Sequence, residues 1–213
     1  MKILVNKVSH PIMREMPIRP SVKKHAARIG EIAWAWNNVC TNLLAIFAKL
    51  LDPKDYRPGI SIWTTLQNDK SQRDILIALA KVRLSEDSQI LKELIWTCDQ
   101  IGQLSGYRNA FIHAPIRVEI TLASLKDAMS PDKDTIYVPA DLSTDSHFRK
   151  LGNVHLETVY LDVLGDLQSI NHYISAIFLA HARSDLWTLP DTPSMRVLLK
   201  KGLSKNQTRR RGK

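Results

Sequence analysis

The sequence predicts an all-α protein, a four- to five-helix bundle with a minor β-hairpin after one of the helices. Long segments step their apolar residues by threes and fours, the spacing of one helix face. Prolines and polar breaks fall between those segments rather than within them. Only eight glycines occur in 213 residues, which does not fit a sandwich of many short, tightly turned strands.

The first helix is expected over 21–51, where Ser21 is a good N-cap and Asp52-Pro53 a stop. Ile29, Ile32, Trp36, Val39, Leu43, Phe47 and Leu50 form a single stripe along it, made to face helical partners. Segment 53–60 holds two prolines and Gly59 and reads as a loop. A second helical region starts near Ser61, breaks at Asn68-Asp69, and resumes through Ile75, Leu76, Leu79 and Val82. Ser85 caps a third helix whose early acids, Glu86 and Asp87, suit the helix dipole. Leu91, Leu94, Cys98 and Ile101 line one face of it. Pro115 disfavours helical geometry at Ala114, so this helix should stop near His113. Runs 116–122 and 135–139 are strand-like and pair as a hairpin. The last helix is expected over 154–186, with Leu156, Val159, Val163, Leu167, Ile170, Ile174, Ile177 and His181 as its stripe.

The net charge of +9 is unevenly placed. From Thr192 onward there are eight basic residues and no acidic ones, which leaves residues 1–191 at +1. The chain therefore divides into a helical domain, 1–191, and a basic, flexible C-terminal tail, 192–213. Lys200, Lys201, Arg209, Arg210 and Arg211 make that tail an electrostatic arm for RNA or an acidic partner, or else a solvated terminus. Cys40 and Cys98 sit in helical runs without metal-like spacing and read as reduced thiols, as in a cytoplasmic protein. Neither a secretion signal nor a membrane span is expected. Scattered histidines, with no HExxH or paired Cys–His pattern, predict no metal, and no cofactor is expected. The absence of a Walker loop, a dinucleotide-type glycine fingerprint and a GxSxG elbow argues against the common nucleotide-dependent and hydrolase classes. Trp34, Trp36, Trp63 and Trp96 read as core or interface anchors.

The chemistry concentrates in one hexad, Arg108-Asn109-Ala110-Phe111-Ile112-His113, at the predicted end of the third helix. Arginine holds phosphate oxygens through its rigid fork, and histidine titrates near neutral pH. Asn109 and His113, four apart, share a helix face, and Arg108 is rotated from Asn109 by about 100°. Gly102 and Gly106 continue the Asn–His face upstream and would let another helix or a nucleic-acid backbone approach closely. Tyr107 either stacks a base at the site or packs the helix end. A plain alternative is a capped helix end, with His113 on the last carbonyls and Arg108 in a surface ion pair. Arg149 and His155 fit a looser Arg–His spacing, but Gly152 and Asn153 interrupt any helix between them.

At this hexad the chain resembles the HEPN domains, helical domains marked by an arginine and a histidine with four to six residues between them, often with a polar residue after the arginine. Many are metal-independent ribonucleases whose sites form between paired motif helices. The resemblance implies an endoribonuclease in which His113 transfers a proton, Arg108 holds the anionic phosphorane and Asn109 orients a partner. It implies a homodimer as well, because two-fold pairing supplies the second histidine that one chain lacks. A toxin or defence role, with an antitoxin or other protein partner, is implied in the same way. Pro115 stands where relatives paired with small nucleotidyltransferases often carry a modifiable tyrosine, so that form of control is not expected. The competing reading is a non-catalytic helical module that binds nucleic acid or protein, with the basic tail supplying affinity.

Overall fold

The computed structural model describes residues 20–113, 117–119, 135–137, 156–182 and 189–196. Five helices make up almost all of it: α1 Pro20–Leu51, α2 Arg57–Thr65, α3 Asp69–Arg83, α4 Gln89–His113 and α5 Leu156–Ala182. Strands β1, Arg117–Glu119, and β2, Thr135–Tyr137, follow α4 and pair antiparallel with Val118 opposite Ile136. The architecture is the expected all-α bundle.

The two longest helices form its spine. Helix α1 lies against α5, α4 packs on the same α5, and α3 bridges α1 and α4. The stripe read from the sequence accounts for this arrangement. Ile32, Trp36, Val39, Leu43, Phe47 and Leu50 of α1 are all buried, and Val163, Leu167, Ile170, Ile174 and Ile177 of α5 meet them. Burying one such side chain contributes about 1.5–3 kcal/mol, so the seam dominates the stability of the bundle. Polar contacts fix its register. Arg28 pairs with Glu157, the Tyr160 hydroxyl donates to Glu31, and Asn42 donates to Asn171 at 2.7 Å. The Tyr173 hydroxyl donates to Glu93 at 2.8 Å and ties α5 to α4, with its ring edge-on to Trp96.

Several expectations change. Segment 53–60 is not all loop, because α2 begins at Arg57 with proline in its first turn, where a missing N–H costs nothing. Gly59 is buried inside that helix, and a Cβ there would lie 2.7 Å from Ala48 Cα, so α2 crosses α1 closely at this point. Helix α3 starts where the break was read, with the Asn68 side chain accepting from the Ser71 N–H at 2.8 Å. Helix α4 begins at Gln89 rather than at Glu86, because a turn from Ser85 to Ser88 precedes it. Trp34 is not a core anchor: it is 70% exposed, whereas Trp36 and Trp63 are buried.

The end of the folded body also differs from the sequence division at residue 191. Met195 is buried in the core, and the Arg196 N–H donates to the carboxylate of Asp166, itself buried, at 2.7 Å. Residues 192–196, assigned by charge to the tail, thus rest against α5. No helix among the described residues is long and apolar enough to cross a membrane.

Candidate functional site

The last turns of α4 are held by Leu104, Tyr107, Ala110 and Phe111, all buried. This inward face forces the remaining residues outward in two i, i+4 pairs: Arg108 with Ile112, and Asn109 with His113. Asn109 and His113 are exposed on the outer face of the helix end. Arg108 turns the other way, toward α1. Its guanidinium carbon lies 4.7 Å from the Trp36 ring centroid, a cation–π contact worth about 0.5–2 kcal/mol depending on desolvation.

Arg108 and Ile112 form one wall of a cleft of about 360 Å³. Trp36, Asn37 and Cys40 of α1 form the second wall, and Asn68 with Asp69 and Gln72 of the first turn of α3 form the third. Neither Asn109 nor His113 lines it. Among the described residues, then, the three hexad residues do not share this cleft. The cause is the helical rotation itself, since about 100° separates Arg108 from Asn109 and about 140° separates it from His113.

The cleft's polar groups are unequally committed. Arg108 Nε is buried without a hydrogen-bond partner, and no acidic side chain among the described residues pairs with this guanidinium. The surface ion pair offered as a plain alternative for Arg108 is therefore not formed among the described residues. Asp69 Oδ2 accepts from Arg73 Nη1 at 2.9 Å, leaving Oδ1 outside that bond. Gln72 donates its amide to the Trp63 carbonyl at 3.4 Å, leaving its own oxygen outside the contact. Burial pushes the Cys40 thiol up to about 11, with Asp69 adding to the rise and Arg108 opposing it. A thiol in that state is protonated at neutral pH and is a poor nucleophile. Among the described residues no group of three or more His, Cys, Asp or Glu could hold a metal ion.

Other sequence-derived candidates fall elsewhere. Tyr107 is 7% exposed, and burial, with Asp166 nearby, raises its phenol above the usual tyrosine range. Buried in this way, its ring packs the helix end, the second of the two roles read for it from the sequence. The glycine face is partly occupied as well: a Cβ at Gly102 would meet the Arg73 guanidinium at 3.6 Å, so this chain's own α3 fills the space proposed for a second helix. Lys200, Lys201, Arg209, Arg210 and Arg211 lie outside the described residues. The sequence reading missed Trp36 and Asp69 as site residues. Trp36 was hidden in the α1 stripe, whereas Asp69, next to the recognised helix break, carried a usable signal. Scans of family models, curated proteins and solved structures find no match to this chain.

Proposed function

We propose that the chain is a HEPN-like, metal-independent endoribonuclease that cleaves RNA by 2′-hydroxyl attack at a site completed by a second copy. The observation that carries this reading is the end of α4. There Asn109 and His113 are exposed side by side, next to an arginine without an acidic partner among the described residues.

Transesterification of RNA needs a base for the 2′-hydroxyl proton and an acid for the leaving 5′-oxygen. A neutral His113 imidazole accepts the first proton as the 2′-oxygen bonds to phosphorus. The protonated His113 of a two-fold mate donates the second proton as the bond to the 5′-oxygen breaks. Asn109, one turn back on the same face, holds an imidazole or a phosphate oxygen by hydrogen bonding. Arg108 anchors the adjoining nucleotide from its cleft, a binding role in place of the phosphorane contact expected from the sequence. Lys200, Lys201 and Arg209–Arg211 add salt-sensitive capture of the RNA backbone. The pairing surface is the outer turn from Gly106 to His113, since Gly102 is flanked by Arg73. A cytoplasmic toxin or defence role, regulated by an antitoxin or other protein, rests on the resemblance alone.

Purified protein should cleave single-stranded RNA in EDTA. His113→Ala should abolish cleavage with the helical circular dichroism unchanged, and Arg108→Ala should weaken substrate binding. Full cleavage by His113→Ala would refute this site. The separation of Arg108 from His113 supports a second reading, in which the module binds RNA without cutting it. Binding without cleavage at any protein concentration that forms dimers would favour that alternative.

A further inference from the structure

We infer that the cleft between α1, the start of α3 and the end of α4 is a binding subsite for a guanine base of single-stranded RNA. The inference extends the RNA reading and specifies what the cleft selects.

The donors and acceptors on the cleft walls decide between a base and a phosphate. Arg108 lines one wall of the cleft with a guanidinium that pairs with no acidic side chain among the described residues, and Asp69 lines another with a carboxylate oxygen not used by Arg73. A phosphate held by Arg108 would offer no donor to the Asp69 oxygen that the Arg73 pair leaves free. A neutral base with acceptors on one edge and donors on another satisfies both groups at once. Guanine is that base: O6 and N7 accept from an arginine fork, and N1–H and N2–H₂ donate to a carboxylate. Adenine presents an amino donor where guanine has O6, and it lacks both N1–H and N2–H₂. Arg108 would then be left facing a donor and Asp69 would be left unpaired.

The remaining features fit the same occupant. Trp36 holds the guanidinium plane at 4.7 Å, so little side-chain freedom is lost when a ligand binds. Gln72 and Asn37 place amides on the rim, and Ile112 with Cys40 supplies apolar surface for the ring. The volume of about 360 Å³ suits a base with part of its sugar, at the lower end of the roughly 300–1,000 Å³ usual for small ligands.

The test uses uncleavable 2′-O-methyl trinucleotides, UGU and UAU, titrated into the full-length protein with calorimetric detection. UGU should bind about ten-fold more tightly than UAU, the discrimination expected of one good bidentate contact. Replacing guanine by inosine removes the N2 donor, and replacing it by 7-deazaguanine removes the N7 acceptor. Each should weaken binding several-fold in the wild-type protein, so the result does not depend on any variant folding. Arg108→Gln and Asp69→Asn should each bring UGU and UAU within about two-fold of one another. Equal binding of UGU and UAU, no binding of either, or insensitivity to both base analogues would overturn the subsite. A guanine preference in a protein that cleaves no RNA would leave the subsite standing and sink the nuclease reading. Cleavage without base preference would do the reverse.

Discussion

Replacing Gly59 with alanine tests whether α2 is locked against α1 by direct backbone approach. The new Cβ would sit 2.7 Å from Ala48 Cα and 2.8 Å from Ala48 Cβ. Carbon atoms are most comfortable at about 3.5–4.0 Å, so α2 must retreat by roughly 1 Å at the crossing. That movement lifts Trp63, whose ring lies 5.4 Å from Phe47 and anchors α2 in the core. Overpacking of this kind costs about 1–3 kcal/mol, and the better helix propensity of alanine returns at most about 1 kcal/mol. The net loss should be about 1–2 kcal/mol, equivalent to roughly 2–8 °C in the melting midpoint of a domain this size. Thermal unfolding followed by circular dichroism reads this directly. Ala48→Gly should not restore stability in the double variant, because the nearest obstacle is the Ala48 Cα rather than its methyl group. An unchanged or raised midpoint in Gly59→Ala, or full rescue by Ala48→Gly, would refute the close-crossing argument.

Further outcomes follow from other buried groups. Asp166→Ala leaves the Arg196 N–H without its acceptor, a loss of about 1–3 kcal/mol, and should lower the melting midpoint by several degrees; Asp166→Asn, which keeps an oxygen, should recover part of it. Burial holds His25 and His181 below the usual imidazole range, with Arg28 adding to this at His25 and Lys49 at His181. Both bind a proton less readily in the folded chain than in the unfolded chain, which takes up protons near pH 6.5, so their stabilising contribution is complete above about 6.5 and declines as pH falls below it. Melts recorded from about pH 7.5 down to about 5.5 should show a falling midpoint, with a shallower slope in the His25→Gln, His181→Gln double variant; an unchanged slope would contradict the assignment.

The parts of the fold legible in the sequence were those set by local rules. The α1 and α5 stripes predicted which residues meet at the seam, because a period near 3.6 leaves one face to bury. Pro115 marked the end of α4 and Asn68 marked the start of α3, since each acts on backbone groups one to three residues away. The first turn of α2, 57–60, was lost because glycine and proline read as breakers. Gly59 breaks nothing: it is present because another helix lies against it, a tertiary fact invisible to local pattern. The candidate site divides in the same way. Residue type and spacing picked out Arg108, Asn109 and His113, and ideal helix rotation already placed Arg108 off the Asn–His face. Its destination, over Trp36 and opposite Asp69, depends on how α1 and α3 pack against α4. Tyr107 points inward for the same reason, on the face that α4 buries.

The most direct test of the ribonuclease account is end-group analysis of RNA incubated with the purified protein in EDTA. Attack by the 2′-hydroxyl, assisted by paired His113 side chains, leaves a 2′,3′-cyclic phosphate on one fragment and a 5′-hydroxyl on the other. The account predicts those ends, their loss in His113→Ala, and cleavage that is insensitive to added magnesium. Fragments bearing 3′-hydroxyl and 5′-phosphate ends, or cleavage that stops in EDTA and returns with a divalent cation, would contradict it.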